Sequence, residues 1–135
     1  MAIMDWNLSL DIGVDEMNGE HQRLLRAMNH LHDLYIQQAP FRLQKDALDM
    51  LKNATVEHFR SEEEYMRNIG WESADTHRYI HQSLLESFGK HYNEAVSKEV
   101  LHDEFFEFLR FWLAAHIQGI DAKYGMFVKS GKKSA

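Results

Sequence analysis

Residues 58–81 read HFRSEEEYMRNIGWESADTHRYIH: His58 and Glu62 stand four apart, Gly70 interrupts, and His77 and His81 again stand four apart. A spacing of four puts two side chains on one face of an α-helix, about 5–6 Å apart at Cβ. The stretch therefore reads as the end of one helix, a glycine stop, and the start of another. Each helix carries a pair of metal-ligating side chains near the turn.

Working outward, both pairs lie on apolar stripes. Leu51 and Thr55 lead into His58, and Leu84, Leu85 and Phe88 continue the face of His77 and His81. The second helix is expected from Pro40, the single proline, to about Ile69, because proline costs nothing at a helix start. The third should run from near Ser73 to about Asn93. Leu24, Leu25, Met28, Leu31 and Tyr35 recur at helical spacing and place a first helix from about Asn18 to Gln37. Phe105, Leu109, Trp112 and Leu113 mark a fourth, expected from near Ser97 to near Gly119, with a short C-terminal piece beyond. Before the first helix, Trp6, Leu8, Leu10, Ile12 and Val14 alternate with polar residues, and residues 1–17 read as an extended arm laid on the core. Residues 127–135 read as a flexible tail, with Lys129, Lys132 and Lys133 in solvent. The expectation is one all-α domain over 1–135: an up-down-up-down antiparallel four-helix bundle with an extended N-terminal arm.

That topology makes a test of the remaining candidates. In such a bundle the start of helix one, the end of helix two, the start of helix three and the end of helix four share one end. His21 opens the first helix, and His116 and Asp121 close the fourth, so all seven candidates fall at that end. The spacing of five between His116 and Asp121 is irregular, since it turns the two side chains roughly 140° apart on a regular helix. The helix is expected to unwind or bulge there, near Gly119. The other histidines, His30, His32, His91 and His102, lack the spacing and read as surface or rim residues. Met17, Met28, Met50 and Met66 read as packing. Glu63 is a candidate outer partner of the site.

Composition limits the chemistry. The chain has 135 residues, nine histidines, no cysteine and a net charge of −6. Without cysteine, disulfides, thiolate zinc sites and iron–sulfur clusters are excluded. The acidic balance offers no face for nucleic acid. No apolar run approaches the ~18–20 residues of a membrane span. No leader is evident, so a cytoplasmic location is expected. Five imidazoles and two carboxylates are too many for one tetrahedral zinc, and they suit iron or manganese at high coordination number.

The motifs His58-Phe59-x-x-Glu62-Glu63, His77-x-x-x-His81 and Trp112-Leu-x-x-His116-Ile-x-x-x-Asp121-x-x-Tyr124, together with His21, resemble the signature of the hemerythrin family. The likeness extends from Trp6 to Tyr124 and is nearest to the single-domain bacterial type. It implies a non-haem di-iron centre: His77, His81 and His116 on one iron, His21 and His58 on the other, Glu62 and Asp121 bridging, and an oxo or hydroxo bridge between. Counted this way, the three-histidine iron is saturated and the two-histidine iron has one open position, where O₂ binds as a terminal hydroperoxide in the family. Leu25, Phe59 and Trp112 are candidates for an apolar shield around the O₂ pocket. The implied function is reversible O₂ binding by a monomeric, non-enzymatic carrier or store, with an oxygen-consuming enzyme as the candidate recipient. Competing readings are sensing of O₂, nitric oxide or redox state through a separate partner, turnover of peroxide or nitric oxide, and iron storage or detoxification.

Overall fold

The computed structural model describes residues 6–7 and 10–130. Four helices form the body: α1 (Asp15–Ile36), α2 (Phe41–Asn68), α3 (Ala74–Lys98) and α4 (Asp103–Ala115). A π-helical turn (His116–Asp121) carries α4 into α5 (Ala122–Lys129). The links at 37–40, 69–73 and 99–102 are too short to cross the bundle, so consecutive helices are antiparallel. Among the described residues no helix is long and apolar enough to cross a membrane.

The helical periodicity buries one stripe per helix. Leu24, Met28 and Leu31 of α1 meet Leu48 and Leu51 of α2, Phe88 of α3, and Phe105, Leu109 and Leu113 of α4 in a single core. Each such side chain contributes about 1.5–3 kcal/mol relative to exposure. Thr55 is buried on the same stripe, and its hydroxyl donates to the Leu51 carbonyl at 2.7 Å.

The helix ends set the boundaries, and two of them depart from the expected positions. Gly70 has φ +73 and stops α2 as expected, and Pro40 lies just ahead of Phe41. The third helix, however, runs to Lys98 rather than Asn93, and the fourth begins at Asp103 rather than near Ser97. The stop is Glu99, a left-handed residue with φ +53 that is not glycine, and Val100 N–H closes back on the Ala95 carbonyl. Asp103 and Glu104 then open α4, where acidic side chains suit the positive helix end. Met50 is 65% exposed and does not pack in the core.

The first helix begins at Asp15, so the arm is shorter than residues 1–17. From Leu10 to Val14 its alternation is real: Leu10, Ile12 and Val14 are buried, while Asp11 and Gly13 are exposed. Asn18 pins it, accepting from Ile12 N–H at 3.1 Å and donating to Asp11 at 2.7 Å. Leu8, Lys132 and Lys133 lie outside the described residues. Lys129 is not part of a tail but ends α5, its side chain running past Gly13.

The arm lies directly against α5. A methyl group at Gly125 would drive into the Ile12 carbonyl oxygen, whereas one at Gly89, within α3, would meet nothing within 4 Å. Gly125→Ala is expected to destabilise the protein by about 1–3 kcal/mol through overpacking. Gly89→Ala should stabilise it by up to about 1 kcal/mol. Thermal unfolding of the two variants checks this, and equal melting temperatures would show that the arm yields freely.

Candidate metal centre

The seven predicted side chains meet at one end of the bundle, all of them buried. His21 comes from the first turns of α1, His58 and Glu62 from α2, His77 and His81 from α3, and His116 and Asp121 from the π-helical turn. The wide turn solves the spacing of five. Its backbone bonds reach one residue further than in an α-helix, with Ala122 N–H on the Ile117 carbonyl. Residue i+5 is thereby brought back over residue i, and His116 Nε2 lies 3.0 Å from Asp121 Oδ1.

The side chains divide into two sets whose donor atoms each lie within 4.8 Å of one another: Glu62, His77, His81, His116 and Asp121, and His21, His58, Glu62 and Asp121. The two carboxylates belong to both sets, and their oxygens divide between them. Glu62 Oε1 faces His81 Nε2 at 2.8 Å and His77 Nε2 at 3.2 Å. Glu62 Oε2 faces His21 and His58 at 3.6 and 3.7 Å. Asp121 Oδ1 lies 2.8 Å from His77 Nε2, and Oδ2 lies 3.0 Å from His21 Nε2.

These short approaches are not hydrogen bonds. His21 Nε2, His77 Nε2, Glu62 Oε1 and both Asp121 oxygens are buried with no hydrogen-bond partner, and the Nε2 atoms of His81 and His116 face each other at 3.2 Å. Buried polar atoms without partners are costly, and so many converging on one point need a common cation. The electrostatics agree. Burial pulls the His21 and His116 imidazoles down, but the charges and close approach of Asp121 and Glu62 outweigh it and hold both up at about 9. Burial raises the Glu62 carboxyl, yet the surrounding imidazoles hold it well below the usual range. Asp121 is likewise lowered by the imidazoles, against burial and the Glu62 charge. The centre favours positive charge, which metal ions would supply.

Outer partners orient two of the histidines. His58 Nδ1 lies 2.6 Å from Glu20 Oε1, and Ser61 Oγ donates to the other Glu20 oxygen at 2.7 Å. His81 Nδ1 lies 2.9 Å from Glu63 Oε2. Both contacts place the proton on Nδ1 and leave Nε2 free to bind a metal. Glu63 was a candidate from sequence, whereas Glu20 and Ser61 were missed. The only signal for Glu20 is an acid beside His21, and Ser61 carries none. Tyr124, three residues after Asp121, is fully buried and donates to Glu62 Oε2 at 2.6 Å. Burial first, then the Glu62 and Asp121 charges, pushes its hydroxyl pKa up.

The apolar candidates split between the halves. Phe59 stacks flat on His81, with centroids 3.8 Å apart, and Trp112 stands edge-on to Phe59 and His116 at 5.7 and 6.1 Å. Trp112 therefore flanks the three-histidine half, whereas Phe59 lies between the halves, its ring also 5.9 Å from that of His58. Leu25 is buried on α1, one turn after His21. His58 and Glu20 line an open cleft of about 240 Å³ between α1 and α2. Of the other histidines, His30 and His102 are exposed, and His32 and His91 are half-buried against Phe106 and Phe108.

Comparison with known proteins gives the same picture. Residues 12–128 match the model of the hemerythrin HHE cation binding domain. A bacteriohemerythrin of Stenotrophomonas maltophilia is 30% identical over 132 residues, spanning 96% of this chain and 84% of that one. A myohemerythrin of Theromyzon tessulatum is 28% identical over 119 residues, 88% of each chain. A crystal structure of wild-type hemerythrin superimposes with a TM-score of 0.84 at 26% identity, covering 92% of this chain and 96% of that one. A fold of four antiparallel helices, a buried cation site built from their shared end, and a match over almost the whole chain place this protein in the hemerythrin HHE family.

Proposed function

We propose that this protein binds O₂ reversibly at a di-iron centre held by His21, His58, Glu62, His77, His81, His116 and Asp121, and that it serves as an oxygen carrier or store. One observation carries the reading. The two donor sets share Glu62 and Asp121 but differ in histidines, three against two. Two metals with a solvent-derived ligand between them would be held by five protein donors on one side and four on the other, so the four-donor side would keep room for a further ligand. A single vacancy suits end-on binding of a small molecule to one metal. The donors are oxygen and imidazole nitrogen only, which fits iron better than a soft metal. Paired ferrous iron held there would supply the electrons for reversible O₂ binding.

Anaerobic reconstitution followed by O₂ titration tests the reading. Two irons per chain and reversible saturation at one O₂ per two irons are expected, read by elemental analysis and visible absorption. One metal per chain, or steady O₂ consumption, would overturn it.

The outer carboxylates make the halves separable. Glu20 touches only the two-histidine half through His58, and Glu63 only the three-histidine half through His81. Loss of such a partner typically weakens metal binding about 10–100-fold. Glu20→Ala should deplete the two-histidine site first and Glu63→Ala the other, seen as unequal occupancy of two iron environments in Mössbauer spectra. Identical losses in both variants would contradict the division.

Protection of bound O₂ depends on keeping water from the open position. Leu25 is buried one helical turn from His21, whereas Trp112 stands on the three-histidine side. Leu25→Asn is expected to retain both irons and to hasten conversion of the O₂-saturated protein to its inert ferric form. Trp112→Ala should do so less. The decay of visible absorbance in air measures both, and a faster decay in the tryptophan variant would relocate the shield.

A further inference from the structure

Four carboxylate oxygens point into the centre, and they are not treated alike. Glu62 Oε1, Asp121 Oδ1 and Asp121 Oδ2 have no hydrogen-bond partner. Glu62 Oε2 has one: the Tyr124 hydroxyl donates to it at 2.6 Å. This is the oxygen that faces His21 and His58. A buried tyrosine needs some acceptor, and a backbone carbonyl would satisfy packing alone. Tyr124 instead spends its proton on a shared carboxylate, on the side with the fewer imidazoles.

We propose that Tyr124 is a positioning residue that makes the two metals unequal, by drawing charge from the one Glu62 oxygen that serves the two-histidine half. The inference rests on the di-iron reading above. A hydrogen bond to an ionised acceptor is among the stronger kinds, and charge held by the phenol is not donated to a metal. The metal beside His21 and His58 therefore receives less negative charge from its ligands. It is held more firmly in the ferrous state, which is the state that must meet O₂. The same bond fixes the plane of the Glu62 carboxylate, so that each oxygen keeps to its own half. Tyr124 is itself held by rings rather than by its hydroxyl: Tyr65 and His77 lie with centroids 5.8 Å from it. Removing the hydroxyl should leave the ring in place.

The experiment compares wild type, Tyr124→Phe and, as a control, Tyr65→Phe, which removes a neighbouring hydroxyl with no bond to the centre. Each is reconstituted with iron under anaerobic conditions, and its iron content is measured. The ferric-to-ferrous ratio of each iron is then followed in a mediated spectroelectrochemical titration. Tyr124→Phe should keep two irons and shift one of them about tenfold toward ferric at a fixed potential, or about 59 mV downward. The second iron and the Tyr65→Phe protein should match wild type. Incorporation of 3-fluorotyrosine at position 124, a stronger donor of nearly equal size, should move the same iron the opposite way. That arm decides the matter if Tyr124→Phe fails to hold its metals. Unmoved potentials, or equal shifts of both irons, in a protein that holds two irons would overturn the role of Tyr124 alone. A wild-type protein that binds fewer than two irons would overturn the di-iron reading and this inference with it.

Discussion

Two carboxylates without solvent exposure, Glu62 and Asp121, sit inside a helical bundle, and the rest of the structure answers to them. An isolated buried carboxylate is far too costly to keep ionised. Here each is surrounded by imidazoles from other helices, and each divides its two oxygens between two sets of donors. Because the partners come from α1, α2, α3 and the turn after α4, the centre fixes the relative position of all four helix ends. A bundle packed on leucine and phenylalanine alone could slide by a turn at modest cost. One that must bring seven donors to a point cannot.

The same constraint explains the backbone irregularity. A regular helix cannot aim residues five apart at one centre, so α4 widens into a π-helical turn between His116 and Asp121. It also explains the difference between the halves. Phe59 lies flat on His81 and Trp112 stands against His116, so the three-histidine half is sealed by aromatic rings. The two-histidine half is bordered by the Glu20–Ser61 pair and the cleft between α1 and α2. Sealed and approachable sides thus coincide with the fuller and the emptier donor set.

Much of this was legible from the chain because the relevant signals are local and periodic. Spacings of four named His58 with Glu62 and His77 with His81, and the offending spacing of five announced the bulge. The antiparallel topology placed His21 among them. What was not legible depends on contacts across helices or on unmarked backbone. Glu20 reaches His58 from another helix, so no spacing within α1 reveals it. The α3 stop rests on Glu99 in a left-handed conformation that glycine usually takes, and nothing near it breaks the helical pattern. Met50 looks like core by residue type but falls off the buried stripe.

The chain beyond Asp121 follows from the need to keep such a centre dry. The seven donor side chains lie at an end of the bundle, where four helices alone leave a mouth open to water. α2 and α5 both run on past the centre, and their aromatic rings meet there: Tyr65 lies against Tyr124, and Trp71, just after α2, against Phe127. The arm then closes over α5, so tightly that Gly125 has no room for a side chain beside Ile12. Tyr124 belongs to this cover and to the centre at once, since its ring fills the lid and its hydroxyl holds Glu62. Closure and the placement of Glu62 are therefore mechanically one feature. A loosened arm would admit water, and through α5 it would also disturb the carboxylate that both donor sets share.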